Sequence, residues 1–221
     1  MDKSRRKAIP KKLQYLQQAT DDRQAMPIML IVCEGSETEP IYFNAVAKRL
    51  RLAAIEVRGA RGSAPMTVVR DAVDSMIQRK TDANKSASIA PYDEVWCVFD
   101  VDQHPKLKDA IAFADKYQIE VALSNPCFEF WLLLHFERFA KTNQSRKQIR
   151  RELNRHIPKY CKSGDYSTLF LPGLEIAVKN AADIWVAQWR TRAPTPLDTL
   201  EKNPSTLVHR LIASLKQGGP R

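Results

Sequence analysis

The sequence predicts an α/β fold: a mostly parallel central sheet flanked by helices, with a C-terminal helical extension. Three observations lead there. Between Pro27 and Phe139, short apolar runs alternate with segments of helical period, the rhythm of strands joined by crossover helices. Two of the runs, 28–33 (IMLIVC) and 94–100 (EVWCVFD), are almost continuously apolar, as strands covered on both faces require. From Thr142 onward strand signals stop and helical spacing takes over.

The elements follow in order. Residues 28–33 read as a buried first strand and 41–52 as the helix behind it. A second strand at 54–58 leads through the loop GARGSAP into a helix ending near Lys80, with 81–91 as a loop. The third strand is 94–100, followed by a helix over 107–117 and a fourth strand over 119–123. Residues 126–139 then form a very apolar helix, buried on nearly every side. Beyond it, 145–156, 174–190 and 204–216 have helical spacing. The chain divides into a basic N-terminal arm (1–25), an α/β core (26–140) and a helical extension packed on that core (141–221).

Composition narrows the function classes. At 221 residues, with 44% hydrophobic and 27% charged side chains, the chain can bury a core without staples, which excludes disorder. The apolar run 26–33 falls far short of the roughly 20 residues a membrane helix needs. No apolar signal segment follows the basic start, so the expected setting is cytoplasmic. Cys33, Cys97, Cys127 and Cys161 lack metal-finger spacing, and three of them lie in apolar segments, as reduced structural cysteines do. The net charge of +10 has two readings, a polyanion partner or a solubilising surface. Clustering favours the first: six basic side chains fall within residues 3–12, and nine within 138–162 against the single Glu152.

In parallel sheets, sites form at the carboxyl ends of the strands. Here the first strand runs into Glu34-Gly35-Ser36-Glu37-Thr38-Glu39-Pro40, and the third into Asp100-Val101-Asp102. Asp100 and Asp102, two apart, project to the same side of an extended segment, and Glu34 faces them if the two strands are neighbours. Carboxylates so close repel one another unless a cation sits among them. Oxygen ligands alone point to Mg²⁺ or Mn²⁺, metals that serve phosphoryl chemistry. The plainer alternatives are a solvated strand end for Glu34 and a turn cap for the aspartates.

Ser36 and Glu39 have capping-box spacing, but Pro40 argues against it and fits better as the first helical residue. Glu37 reads as a solvated charge. Glu129, inside the apolar helix, needs a partner, a metal or a shifted pKa. His135 lies about 120° around that helix from it and reads as a satisfied core histidine. His104, two residues past Asp102, could reach a substrate but reads as a loop residue. The loop 58–63 (RGARGS) lacks the ending of an ATP-binding loop and reads as a connection. The pair Trp185/Trp189, at i, i+4, reads as core. In 145–156, Ile149 and Leu153 mark one side, while Lys147, Arg151 and Arg155 form a basic row on another.

Taken together, these residues resemble the RloB-like family. The resemblance rests on Glu34-Gly35-x-x-Thr38-Glu39-Pro40-x-Tyr42-Phe43, on Asp100-x-Asp102, and on Ser124-Asn125-Pro126-Cys127-Phe128-Glu129-x-Trp131-Leu132-Leu133-x-His135-Phe136. The closing Asn203-Pro204-Ser205-Thr206-x-Val208-His209-x-Leu211 is similar to that family's C-terminal signature. Such proteins resemble the Toprim superfamily, in which a Glu after the first strand and a DxD after the third share divalent metal. The resemblance implies Glu34 as metal-proximal acid or base, Asp100 and Asp102 as metal ligands, and Glu39 and Glu129 as supporting acids. It also implies a bacterial anti-phage role of the abortive-infection kind.

The leading expectation is a Mg²⁺- or Mn²⁺-dependent nuclease. Arg146, Lys147, Arg150, Arg151 and Arg155 would bind the flanking backbone, with RNA, particularly tRNA, favoured over DNA by analogy. A regulatory protein from the same locus is a possible partner, and no membrane is expected. The alternatives are a non-catalytic nucleic-acid-binding or sensing module and, third, primer synthesis, for which 221 residues leave no evident nucleotide-binding subdomain.

Overall fold

The computed structural model describes residues 27–101, 106–139, 141–188 and 193–218. The basic arm 1–25, Asp102, His104 and Trp189 lie outside these residues. β1 (Met29–Cys33) is flanked by β2 (Ile55–Gly59) and β3 (Glu94–Asp100), and β3 pairs with β4 (Glu120–Asn125), all in parallel. β5 (Ser205–Thr206) joins β4 antiparallel, completing the order β2-β1-β3-β4-β5. The expected mixed α/β architecture with a mostly parallel central sheet is therefore the observed one.

Both faces of the sheet are covered, which is why its strands are apolar without alternation. Leu30 and Val32 of β1 pack with Val68, Val69 and Ala72 of α2 (Pro65–Lys85) and Ala110 and Ile111 of α3 (Leu107–Lys116). Met29, Ile31 and Cys33, pointing the other way, pack with Phe43 and Val46 of α1 (Thr38–Arg49). They share that core with α4 (Phe128–Leu133), with Ile149 and Leu153 of α5 (Arg146–His156), and with later helices. Those later helices are α6 (Ser167–Phe170), α7 (Leu174–Gln188) and α9 (Val208–Gln217). A short helix, α8 (Pro196–Glu201), precedes β5. Each large apolar side chain buried this way contributes about 1.5–3 kcal/mol before chain entropy is subtracted.

Four expectations need correction. The helix expected over 126–139 is only α4, six residues long. Its apolar character reflects burial rather than length, and the Leu134 carbonyl is taken by Asn180 Nδ2 at 2.9 Å as the chain turns away. α2 runs to Lys85, past the expected end near Lys80, held by bonds at i, i+4 from Gln78 to Asp82 and from Thr81 to the Ile77 carbonyl. The last helix begins at Val208 rather than Pro204, because Ser205 and Thr206 are a strand. Two polar residues carry no periodic signal, so this strand was invisible in the sequence. Pro40 is the third residue of α1, not the first; the expected absence of a Ser36 cap is observed.

Candidate active site

The parallel pairing of β1 with β3 extends one residue beyond β1, where Glu34 N donates to the Val98 carbonyl at 2.8 Å. The Glu34 side chain then turns across, and its Oε2 accepts from Asp100 N at 2.9 Å. Neighbouring strand ends thus bring Glu34 and Asp100 together, as their spacing predicts. Asp100 is buried. Burial pushes its carboxyl well above the usual carboxylate range, and Glu39, Glu34 and Glu129 push the same way against the Arg146 guanidinium.

Glu39 sits in the first turn of α1 and leans over Gly35, where an added Cβ would run into its Oε2. Glycine at 35 is therefore what lets the carboxylate lie against the backbone. Gly59, at the end of β2, meets the same loop from the other side: a Cβ there would come 2.9 Å from Ser36 Cα. Burial raises the Glu39 carboxyl, Glu129 and Glu34 add to this, and Lys162 opposes them. Glu129, in the first turn of α4, is buried with Oε1 making no hydrogen bond; Arg150 Nε stands 3.9 Å away. Beside it, burial and then the Glu129 and Asp100 charges push the Cys127 thiol up.

One stretch of chain faces these acids. Ser145 caps α5 in a capping box with Gln148, its hydroxyl accepting from Gln148 N at 3.3 Å while Ser145 N donates to Gln148 Oε1 at 2.8 Å. Ile149 and Leu153 anchor the helix in the core. This places Arg146 beside Asp100, Nη1 to Oδ2 3.4 Å, and Arg150, one turn on, beside Glu129. After the helix, the Thr38 hydroxyl donates to the Lys162 carbonyl at 2.9 Å, tying the stretch to α1. Tyr160 lies buried there, and burial, with help from the Glu129 and Glu39 charges, raises its phenol.

The expected site residues therefore divide. Glu34, Asp100, Glu39 and Glu129 meet at one edge of the sheet; Asp102 lies outside the described residues. Of the five basic residues expected to bind flanking backbone, Arg146 and Arg150 stand beside the acids. Lys147 and Arg151 are exposed, and Arg155 is engaged by Glu152 at 3.0 Å. Lys162 and Tyr160 were not singled out from the sequence, because nothing in a loop's composition says which carboxylate it will cover. His135 is the satisfied core histidine expected, between the Tyr42 hydroxyl at 3.0 Å and the Trp131 carbonyl at 3.1 Å; burial brings its pKa down to about 4. The 58–63 loop is an internal connection, with Arg58 and Arg61 both spent on Asp71.

Among the described residues, no three His, Cys, Asp or Glu side chains are already gathered as a metal site. The donor chemistry nonetheless fits a hard cation: the acids of this edge offer oxygen alone, burial and then neighbouring carboxylates hold Asp100 and Glu39 short of easy ionisation, and Glu129 Oε1 is an orphaned buried acceptor. No described helix is long and apolar enough to cross a membrane.

Fold and site define an α/β protein with an acidic centre at the carboxyl edge of its sheet and a basic segment laid across it. The family model described as RloB-like protein matches residues 29–215, and the chain belongs to that family. No curated protein and no solved structure matches it.

Proposed function

We propose that this protein is a divalent-metal-dependent nuclease that acts on RNA in preference to DNA in bacterial anti-phage defence. The observation that carries the reading is the meeting of Glu34, Asp100, Glu39 and Glu129 with Arg146 and Arg150 at the edge where parallel sheets place their chemistry. Anionic oxygens for a cation and guanidinium groups for a phosphate are the two halves of a phosphodiesterase site. Glu34 and Asp100, with Asp102 from the adjoining segment, would hold Mg²⁺ or Mn²⁺, which when bound activates water and stabilises the departing oxygen. Glu39 and Glu129 enrich the negative field of the same edge. Exposed Lys147 and Arg151 extend the basic surface along α5, giving affinity that falls steeply with salt. The defence role, the preference for RNA and a regulatory protein partner rest on the family resemblance alone.

The test is a cleavage panel of tRNA, mRNA, single-stranded DNA and duplex DNA with Mg²⁺, Mn²⁺ or EDTA. Metal-dependent cutting, lost in Asp100→Asn/Asp102→Asn with binding retained, is the expected result. One observation favours a second reading: Arg146 already faces Asp100, as in a binding module that needs no metal. That reading predicts salt-sensitive binding, indifferent to EDTA, and no cutting by the wild type.

A further inference from the structure

β2 ends the sheet on one side, and its surroundings differ from those of the strands within. Every residue of β1 is buried, whereas none of β2 is. The ladder to β1 shows which of its backbone groups are left over. Met29 N donates to the Ala54 carbonyl at 3.0 Å, and Ala60 N donates to the Cys33 carbonyl at 2.7 Å. With Met29 opposite Ile55 and Cys33 opposite Gly59, the amides and carbonyls of Glu56 and Arg58 turn toward β1. Those of Ile55, Val57 and Gly59 therefore point away from the sheet. Among the described residues, no hydrogen bond reaches the outward groups of Ile55 or Val57, and the Gly59 carbonyl meets Arg58 Nη1 at 3.4 Å.

An open edge is a template for another strand, and proteins that avoid self-pairing blunt it with proline, lysine or a bulge. The segment Ile55-Glu56-Val57-Arg58-Gly59 has no proline and no lysine, and its register with β1 is unbroken. Its two charges are opposite in sign and, two residues apart, share one face of the sheet. Arg58 Nη1 and Nη2 reach Asp71 of α2 at 2.9 and 3.1 Å, while its Nε is left 3.6 Å from Glu56 Oε1. The Glu56 side chain is 45% exposed.

These charges select one way for the edge to pair with itself. A two-fold axis at Glu56 sets two glutamates face to face, and one at Arg58 sets two arginines so. An axis at Val57 sets Glu56 opposite the second copy's Arg58, and Arg58 opposite its Glu56. The same axis aligns the outward groups: Val57 meets Val57 and Ile55 meets Gly59, each pair exchanging both backbone bonds. The charged pairs then fall at the closer, non-hydrogen-bonded positions, where side chains interact most.

We propose that two copies of this chain join edge to edge through β2, antiparallel and centred on Val57, so that their sheets become one. The strands of the two copies run in opposite directions, so the two acidic centres open at opposite ends of the shared sheet. Five residues a side form a small interface, and the dimer dissociates on dilution through the micromolar range.

Sedimentation velocity of the full chain over a dilution series measures the association at fixed salt. Tm checks that each variant folds, and hydrogen exchange at the Ile55 and Val57 amides locates the contact. Wild type passes from dimer to monomer on dilution, with both amides protected in the dimer alone. Val57→Pro deletes an outward amide that β1 does not use, and stays monomeric. Glu56→Arg, at an exposed position, makes both cross-pairs repulsive and weakens the dimer about tenfold or more; it decides alone should Val57→Pro fail to fold. A wild type that is monomeric at every concentration overturns the inference. Exchanging amides would then show an open edge, and protected ones an edge covered within the chain. A dimer that either folded variant leaves unweakened overturns it as well, because another surface then carries the contact.

Discussion

At Asp100, burial and three neighbouring carboxylates act against the charged form, and Arg146 offsets them only in part. The sign of the pH effect follows. A carboxyl raised in the folded state contributes stability that is full below the unfolded value, near 3.8, and is lost as pH rises through the folded value. Asp100→Asn removes that loss, so the variant is expected to melt a few degrees above wild type at pH 7, by roughly 1 kcal/mol, and to equal or trail it at pH 4. Thermal melts of the pair across that range check this, and His135 and His209 drop out because both proteins share them. A neutral-pH melt below wild type would mean that the Asp100 charge stabilises the fold. That the acids would meet was legible in the chain, since Glu34 and Asp100 each end an apolar run. That Arg146 and Arg150 would stand beside Asp100 and Glu129 was not, because side-chain reach is decided by packing.

Among the elements, α5 carries the most consequence for its length. Its N-cap sets the first turn, and the first turn sets Arg146. Ser145→Ala breaks the capping box and is expected to cost about 1 kcal/mol. On the nuclease reading it should also slow cutting, because the frayed turn no longer holds Arg146 beside Asp100; urea denaturation and the single-turnover rate measure the two effects. Full stability loss with an unchanged rate would detach the cap from the chemistry. The start of this helix was readable to within one residue, as was all of β3. The ends of α2 and α4 were not, for opposite reasons. One is a solvated extension held by local polar bonds, and the other is a buried segment whose carbonyl is captured by Asn180, a residue 46 positions away.

For the whole molecule, the last third of the chain is not an appendage. β5 bonds to the end of β4, with the Ser124 and Thr206 hydroxyls 2.9 Å apart, and Val208, Leu211, Ile212 and Leu215 of α9 enter the same core as β1. Unfolding is therefore expected to be a single transition in urea, with tryptophan fluorescence and far-UV circular dichroism coincident. Trp96 reports from the sheet, Trp131 from α4 and Trp185 from α7. Two separated transitions would show that residues 141–218 fold independently. The sequence disclosed the sheet through its uninterrupted apolar runs but not the strand that closes its far edge, where both paired residues, Ser205 and Thr206, are polar.

The acids of the site come from three separate passages of the chain, at residues 34–39, 100 and 129, each locked into the sheet or a helix packed on it. Among the described residues, the cations that face them come from the passage 146–162. This asymmetry makes the site divisible by inheritance. On the nuclease reading, substitutions within one contiguous cassette would change which polyanion is gripped, and how firmly, while the carboxylates that three distant passages supply are left as they were.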